Sequence, residues 1–282
     1  MYVFVEVTVD PNGGNQPLLI QDSVLFTVNG IRQSVLLEAY GQDVNLYKGG
    51  EEGEDDLIES HDMKSDDKGV WEVKVDGDLN GTYYTYTADF GDTQNEACDP
   101  YAKTVGVNGD RAMVIDMDST NPAGWDNDSN PNKNLKNTDV SIYELHVRDL
   151  SSDASSGIKN TGKYLGLTET GTTNSKGQST GLDHIKELGI THIQLNPVYD
   201  YATVDETKLD TNQFNWGYDP KNYNSPEGSY STDPYNGDVR VKEFKEMVKT
   251  LHDNDISVVM DVVYNHTYST DYCYNKLCLL YT

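Results

Sequence analysis

Three polar side chains that can bind a ligand or exchange a proton, Asp261, Asn265 and His266, stand directly after the largely apolar run at 256–260. Such a run, placed after an amphipathic helix, is typical of a strand buried on both faces of a parallel sheet. Functional groups of α/β sheets lie at the carboxyl ends of these strands. An isolated Asp-x-x-x-x-His is nevertheless more often a pair that hydrogen-bonds to neighbouring loops, so these residues alone favour a structural role.

A second group of residues adds the chemistry of sugar binding. It is the aromatic motif, defined here as residues 214–220 (Phe-Asn-Trp-Gly-Tyr-Asp-Pro), and it lies in a polar loop. Trp216 and Tyr218 offer flat faces that stack on the apolar faces of sugar rings, while Asn215 and Asp219 offer groups that bond hydroxyls. The motif also fits a loop anchored in the core by its aromatics, and both interpretations stay open on these residues alone.

Four segments together resemble one enzyme family. Residues 261–266 (Asp-Val-Val-Tyr-Asn-His) are similar to the first conserved region of the α-amylase superfamily of glycoside hydrolases. The aromatic motif is similar to the Tyr-Asn-Trp-Gly-Tyr-Asp-Pro signature of type I pullulanases, with Phe214 in place of the first Tyr. Residues 143–149 and 191–197 resemble the first two barrel strands of the same enzymes, and the resemblance covers roughly residues 44–271.

The resemblance implies a role for each site residue. Tyr218 is expected to stack under the glucose next to the scissile bond, and His266 to donate to a hydroxyl of that sugar in an oxocarbenium-like transition state. Trp216 belongs to the same substrate-binding set.

Supporting roles are implied for four neighbouring residues. Asp261 is expected to anchor the strand end, and Asn215 and Asp219 to hold the loop. Asn265 matches a calcium ligand of many α-amylases, so calcium is the one cofactor considered; no other cofactor is expected. Calcium prefers several oxygen ligands, and the sequence does not supply an obvious set around this residue.

The implied reaction is retaining hydrolysis of α-1,6 branch linkages in an α-glucan such as pullulan, amylopectin or glycogen. It requires a carboxylate nucleophile and a carboxylic acid. In this superfamily the nucleophile Asp, the acid/base Glu and a second Asp follow the fourth, fifth and seventh barrel strands. We expect only three strands in this chain, which would therefore lack the catalytic acids and be inactive. The alternatives are a non-catalytic glucan-binding fragment and another debranching or α-1,4-acting amylase homologue.

Alternating strand and helix patterns predict the elements that position these residues. We expect parallel strands at 141–147, 191–195 and 257–263, a short helix at 181–188 with Thr180 as its N-cap, and a longer helix through 241–251 capped by Asp238. Gly189 is the expected stop of the short helix. The resemblance implies that these are the first three βα units of a (β/α)₈ TIM barrel.

The remainder of the chain predicts a multidomain organisation. Residues 44–120 read as a β-sandwich like a carbohydrate-binding module, with a hairpin between 68–75 and 81–87 and a strand at 111–116. Residues 1–43 receive no assignment, and 121–138, rich in Asn, Asp and Pro, are predicted to be a linker. The partial catalytic domain is placed at 139–271. We interpret 272–282 as an aberrant tail from a truncated or frame-shifted reading frame, the alternative being a genuine C-terminus with an exposed sheet edge.

Composition excludes several classes of partner. The 21 basic and 47 acidic residues give a net charge of −26, which disfavours nucleic acid and anionic membranes as partners. No apolar stretch approaches the ~20 residues of a membrane span. The start of the chain lacks the basic and apolar regions of a signal peptide, which slightly favours a cytoplasmic location. The three cysteines give neither an even disulfide framework nor a zinc spacing.

Overall fold

A computed structural model describes residues 20–28, 31–39, 42–47, 57–65, 71–91 and 93–277. These residues form antiparallel sheets in the N-terminal part and a parallel α/β unit in the C-terminal part. The strands are β1 (Ile20–Val28), β2 (Ile31–Ala39), β3 (Gln42–Tyr47), β4 (Leu57–Asp62), β5 (Lys64–Ser65), β6 (Trp71–Glu72), β7 (Tyr83–Asp89), β8 (Gln94–Ala97), β9 (Ala112–Met113), β10 (Ile142–Leu145), β11 (His192–Leu195), β12 (Tyr199–Tyr201), β13 (Pro220–Pro226) and β14 (Ser257–Met260). The α-helices are α1 (Gly181–Glu187), α2 (Gly237–Asp253) and α3 (Cys273–Lys276).

The N-terminal part is organised around β7. The main sheet has the order β4-β3-β7-β8, with β9 paired to β7, and β5-β6 form a separate two-stranded sheet. Tyr83, Thr85 and Thr87 are buried on one face of β7, as expected from the two-residue period of a strand. The Tyr83 hydroxyl donates to the carbonyl oxygen of Tyr235 at 2.8 Å, which attaches this sheet to the α/β unit.

The predicted hairpin between 68–75 and 81–87 was wrong. The turn that suggested it does form, since the amide of Thr82 donates to the carbonyl of Leu79 at 2.8 Å and Gly81 has φ +80°. However, β6 pairs with β5, whereas β7 pairs with β3 on one side and with β8 and β9 on the other. Both edges of β7 are therefore occupied, and no edge remains for the preceding segment.

The N-terminal segment without an assignment contains a hairpin. β1 and β2 pair antiparallel with Val28 opposite Ile31, so only two residues connect them. Those residues are Asn29-Gly30, the dipeptide that most strongly favours a two-residue hairpin turn. This signal was present in the sequence and was missed. Residues 1–19 lie outside the described part of the chain.

The α/β unit is a parallel sheet in the order β10-β11-β14, which confirms the predicted three-strand arrangement. Ile142 pairs with His192, and His192 pairs with Ser257. β14 ends at Met260, three residues before the predicted end, so Asp261 is the first residue beyond the strand. The core between sheet and helices is made of aliphatic side chains, among them Leu145, Leu182, Ile185, Ile193, Leu195, Met247 and Leu251.

The two crossover helices, α1 and α2, lie where the hydrophobic periodicity predicts them, although their N-terminal capping is not the predicted one. Thr180 occupies the N-cap position of α1, but its hydroxyl donates to the carbonyl of Ser156 instead of capping the helix. Gly189 has φ +65°, as expected for a residue that ends a helix. α2 begins at Gly237 with Asn236 as its N-cap, so the predicted cap, Asp238, lies inside the first turn.

Residues predicted to be a linker and a tail make specific contacts. In the predicted linker, 121–138, the Asn132 amide donates to the carbonyls of Thr191 and Asp255 at 2.9 and 2.8 Å. In the predicted tail, α3 packs Cys273 against Ala97 of the N-terminal sheet. Both segments are thus attached to their neighbours. Residues 278–282 lie outside the described part, and the domain limits stay predictions.

A buried arginine joins the two parts of the fold. Arg240 on α2 is fully buried, and its guanidinium pairs with Asp200 at 3.1 Å and with Glu206 at 3.0 Å. The same group donates to the carbonyl of Gly106, in the segment between β8 and β9 of the N-terminal part, at 3.1 Å. It also donates to the carbonyls of Pro226 and Pro234. One side chain therefore satisfies acceptors from five separate segments.

Three buried carboxyl groups, those of Asp200, Glu206 and Glu227, lie close together beside the single positive charge of Arg240. Burial raises the pKa of Asp200 to about 7, with the charge of Glu206 adding to the rise and that of Arg240 opposing it. Burial also raises the pKa of Glu227, which accepts from the amide of Tyr201 at 3.0 Å. Between about pH 4 and pH 7, Asp200 therefore keeps a proton that an exposed carboxyl group would already have released.

We expect Arg240→Met to lower the free energy of unfolding by about 3–5 kcal/mol, because it leaves buried carboxylates without their counter-charge. Urea denaturation followed by circular dichroism measures the change. Lys242→Ala, which removes an exposed cation from the same helix, is the matched control and should cost less than about 1 kcal/mol. Equal losses in the two variants would contradict the structural role of Arg240.

We expect the free energy of unfolding to fall as pH rises from about 4 to about 7. In this window the unfolded chain has released the Asp200 proton while the folded chain still binds it, so rising pH favours unfolding. Asp200→Asn removes this titration and should flatten the pH dependence. Urea titrations at half-unit pH steps test this, and identical slopes for the variant and the unmodified chain would rule it out.

Candidate functional site

Two loops meet at the carboxyl end of the parallel sheet. The aromatic motif lies in the loop between β12 and β13, and residues 261–266 follow β14. The Tyr218 hydroxyl donates to the Asp261 carboxylate at 2.6 Å. His266 Nε2 lies 2.8 Å from the carbonyl oxygen of Tyr218 and therefore carries the proton of this hydrogen bond. The structure thus brings together Tyr218, Asp261 and His266, which sequence reasoning assigned to one site.

Tyr218 is held as a neutral phenol. Its hydrogen bond to Asp261 raises the pKa of the hydroxyl to about 12, with burial and the charges of Asp261 and Glu144 acting in the same direction. At neutral pH the hydroxyl therefore remains a donor to the carboxylate. The ring itself is 38% exposed, so part of its surface is available to a ligand while its polar end is fixed.

The Asn215 side chain braces the loop that carries Tyr218. Its Nδ2 donates to Asp219 Oδ1 at 2.7 Å and to the Thr203 hydroxyl, and its Oδ1 accepts from the Gly217 amide at 2.7 Å. Asp219 uses its other oxygen to accept from the Thr203 amide at 3.0 Å. These contacts are the loop support expected of Asn215 and Asp219.

Gly217 is required at the bend of this loop. Its φ is +89°, a region that side-chain-bearing residues rarely adopt. An added Cβ would also lie 2.6 Å from the carbonyl oxygen of Pro197. The loop therefore reverses direction tightly between Trp216 and Tyr218, which places the two rings on the same exposed stretch of chain.

Trp216 and Phe214 form an exposed aromatic surface. Trp216 is 62% exposed and Phe214 is 54% exposed, and their rings meet edge to face at 6.2 Å. Large aromatic surface in solvent beside fixed hydrogen-bonding groups is the composition of a sugar-binding surface. The placement argues against the alternative in which these rings only anchor the loop in the core.

His146 is a residue of the site that sequence reasoning did not single out. It follows β10, and its ring stacks on Phe214 with centroids 5.5 Å apart. Its Nε2 lies 2.8 Å from the carbonyl oxygen of Asn215. The signal was its position at the end of a barrel-like strand, in the segment at 143–149, where functional residues concentrate.

Asn265 lies apart from the Tyr218 contacts, at a cavity of about 670 Å³. The residues that line this cavity are Tyr223, Asn224, Tyr264, Asn265, His266, Thr267, Thr270 and Tyr274. This lining offers the amide oxygens of Asn224 and Asn265 but no carboxylate, and calcium sites in proteins combine carboxylates with carbonyls. A calcium role for Asn265 stays a prediction.

Within the described ranges, one group of three acidic residues is spaced closely enough to hold a metal ion: Asp200, Glu206 and Glu227. The guanidinium of Arg240 already pairs with two of these carboxylates. The cluster therefore has its counter-charge within the protein. No helix in the described part of the chain is long and apolar enough to cross a membrane.

Two family descriptions match this chain. The alpha amylase catalytic domain matches residues 85–277, and carbohydrate-binding module 48 (isoamylase N-terminal domain) matches residues 48–102. These matches agree with the predicted order of a binding-module-like sandwich followed by part of a catalytic barrel. A pullulanase of Bacillus subtilis (strain 168) is 43% identical over 206 residues, which cover 73% of this chain and 28% of the relative.

Solved structures of pullulanases are similar over most of the chain. The pullulanase of Paenibacillus barengoltzii in complex with maltohexaose and α-cyclodextrin is 44% identical with a TM-score of 0.83, covering 97% of this chain and 41% of that one. A mutant of the same enzyme with maltotriose is 51% identical with a TM-score of 0.78, covering 82% and 36%. This chain spans about a quarter of the length of the curated pullulanases it matches.

We expect Asn215→Asp to destabilise the aromatic loop at neutral pH, because the new carboxylate would face that of Asp219 across 2.7 Å and lose the donated hydrogen bonds. The expected loss is about 1–3 kcal/mol. Hydrogen exchange of the loop amides, followed by mass spectrometry, reports the local opening. Acidification below about pH 4 should restore protection because the carboxyls become neutral.

The control for this variant is Asn212→Asp, the same chemical change in the same loop. Asn212 Oδ1 accepts from Arg148 at 3.1 Å, so a carboxylate there faces a cation. This variant should leave amide exchange unchanged at pH 7. Equal exchange in both variants would show that the Asn215 contacts do not brace the loop.

Proposed function

Because the chain belongs to the alpha-amylase family of catalytic domains, we propose that it is the glucan-binding portion of a debranching glycoside hydrolase of pullulanase type. The proposed substrate is an α-glucan with α-1,6 branch linkages, such as pullulan, amylopectin or glycogen. The observation that supports this most directly is the convergence of Tyr218, Asp261 and His266, with Tyr218 in the same loop as the exposed Trp216.

In this proposal, Tyr218 and Trp216 supply the stacking surface for glucose rings. The bond from the Tyr218 hydroxyl to Asp261 orients the ring before substrate arrives, which reduces the entropy lost on binding. In this proposal the face of the Tyr218 ring stacks on the sugar, while the Tyr218 hydroxyl stays hydrogen-bonded to Asp261. Asp261 in turn couples the strand end to the sugar-binding loop.

His266 is proposed to contact a hydroxyl of the same sugar through the nitrogen that the protein leaves available. Its Nε2–H is committed to the carbonyl of Tyr218. The other ring nitrogen, Nδ1, accepts from a hydroxyl when the imidazole is neutral and donates when it is protonated. Either hydrogen bond would orient the sugar, and it would favour catalysis to the extent that it is stronger in the transition state than in the bound substrate.

Hydrolysis with retention needs two carboxyl groups about 5–5.5 Å apart across the scissile bond. Asp261 is committed to Tyr218, and we assign it a positioning role rather than either of these two. We propose that the reacting carboxyls belong to parts of a complete enzyme that correspond to the unmatched length of its relatives.

A non-catalytic glucan-binding protein is the second candidate. The match of residues 48–102 to carbohydrate-binding module 48 supports it. The two candidates differ in where the sugar binds: the first places it on the aromatic motif, and the second on the N-terminal sheets. Substitutions in the aromatic motif therefore separate them.

We expect the purified chain to bind maltohexaose and to release no reducing sugar from pullulan. Tyr218→Ala should weaken binding by about five- to thirtyfold, or about 1–2 kcal/mol, because it removes a stacking surface. Isothermal titration calorimetry measures the affinity. Tyr101→Ala removes a tyrosine that is 73% exposed between β8 and β9 and that lines a cavity of the N-terminal sheets. It is therefore the matched variant for the second candidate.

The outcomes distinguish the candidates. A loss of affinity in Tyr218→Ala with none in Tyr101→Ala supports the proposed site. Full affinity in Tyr218→Ala would shift the assignment to a binding module. Absence of binding by the unmodified chain at millimolar maltohexaose would contradict both.

A further inference from the structure

We propose that His146 is a positioning residue that sets the exposed aromatic surface of Phe214 and Trp216 for sugar binding; this inference rests on the proposed function. His146 is only 8% exposed and is therefore too buried to contact substrate directly. It lies beneath the aromatic motif and contacts the motif in two chemically different ways.

The first contact is a hydrogen bond to the loop backbone. His146 Nε2 lies 2.8 Å from the carbonyl oxygen of Asn215, so Nε2 carries a proton and donates it. The hydroxyl oxygen of the buried Tyr230 lies 3.2 Å from the same nitrogen. The other nitrogen, Nδ1, accepts from the amide of Asp149 at 3.3 Å. Polar contacts on both nitrogens therefore give the ring a defined orientation in the site.

The second contact is made by the face of the imidazole ring. It stacks on Phe214 at an interplanar angle of 29°, and Phe214 in turn meets Trp216 edge to face at 88°. On its other side the imidazole packs edge to face against Tyr230, with centroids 5.9 Å apart. Tyr230 is 2% exposed and packs on the buried ring of Tyr164. A continuous series of rings thus runs from the core to Trp216.

The two contacts act on the same short segment. Asn215 receives the backbone bond, and its side chain braces Gly217 and Asp219. Displacement of the Asn215 backbone would therefore move the bend that leads to Tyr218, while loss of the ring face would release Phe214 and Trp216. Well-ordered rings on a braced loop lose less entropy on binding than mobile ones, which is the reason that a buried residue influences affinity.

Two substitutions separate these contacts. His146→Phe keeps an aromatic face but has no donor for the Asn215 carbonyl, and His146→Gln keeps an N–H donor but has no ring. We expect His146→Phe to weaken maltohexaose binding about tenfold in calorimetry. His146→Gln should weaken it as well, through Phe214.

A double-mutant cycle tests whether the effect acts through Trp216. In a Trp216→Ala background, His146→Gln, which removes the ring face that holds Phe214, should change the affinity less than twofold, because Trp216 is no longer there to be positioned. A general loss of structure would instead lower the affinity by the same factor in both backgrounds, and that result would overturn the proposal. Unchanged affinity in the His146→Phe single variant would overturn it as well.

A ligand-free measurement keeps this test separate from the proposed function. The chain has three tryptophans, so 5-fluorotryptophan labelling gives three ¹⁹F signals, and Trp216→Phe identifies one of them. His146→Phe and His146→Gln should shift or broaden the Trp216 signal and leave those of Trp71 and Trp125 in place. Collapse of all three signals in both variants would assign His146 to global folding and overturn the proposal. If the unmodified chain does not bind maltohexaose, the proposed function fails while this readout still decides the positioning role.

Discussion

The buried guanidinium of Arg240 is the contact on which the arrangement of this molecule depends. It pairs with Asp200 and Glu206 and donates to the carbonyls of Pro226, Pro234 and Gly106, the last of which lies 134 residues away, between β8 and β9. Removing a partner from a buried charge is costly, so the segments around it have little freedom to move separately. Because Asp200 lies on β12, the loop that follows this strand and carries the aromatic motif starts from a fixed position.

From that position, the candidate site is assembled by hydrogen bonds between loops. Tyr218 reaches across to Asp261, and His266 reaches back to the Tyr218 carbonyl, so each loop fixes the other. Below them, His146 connects the aromatic motif to the core. The rings of the site are therefore exposed on one side and held by polar contacts on the other, an arrangement suited to sugars, whose rings have apolar faces and polar edges.

Errors in sequence reasoning came from competition between partners. The turn at 78–81 forms, yet the expected hairpin does not, because β3, β8 and β9 occupy both edges of β7. Thr180 does occupy the N-cap position of α1, but its hydroxyl bonds to Ser156, whereas α2 begins with Asn236 in the N-cap position and leaves Asp238 in the first turn. Local preferences of a few tenths to about 1 kcal/mol yield to such alternatives. The hairpin of β1 and β2 was an oversight of a different kind, because its Asn-Gly signal was in the sequence.

The sequence by itself determined the parallel sheet and the convergence of Tyr218, Asp261 and His266 at its carboxyl end, because periodicity and the position of polar groups after buried strands are local properties. It also identified Asn215 and Asp219 as neighbours of the aromatic rings. Only the tertiary structure decided that the Tyr218 hydroxyl is committed to Asp261, that His146 lies beneath Phe214, and that Asp200 and Glu206 share one arginine. These contacts join residues from 34 to 68 positions apart, the separation of Glu206 from Arg240 and of His146 from Phe214. Composition and spacing carry no information about which of several chemically suitable partners will lie within hydrogen-bond distance once the chain is packed.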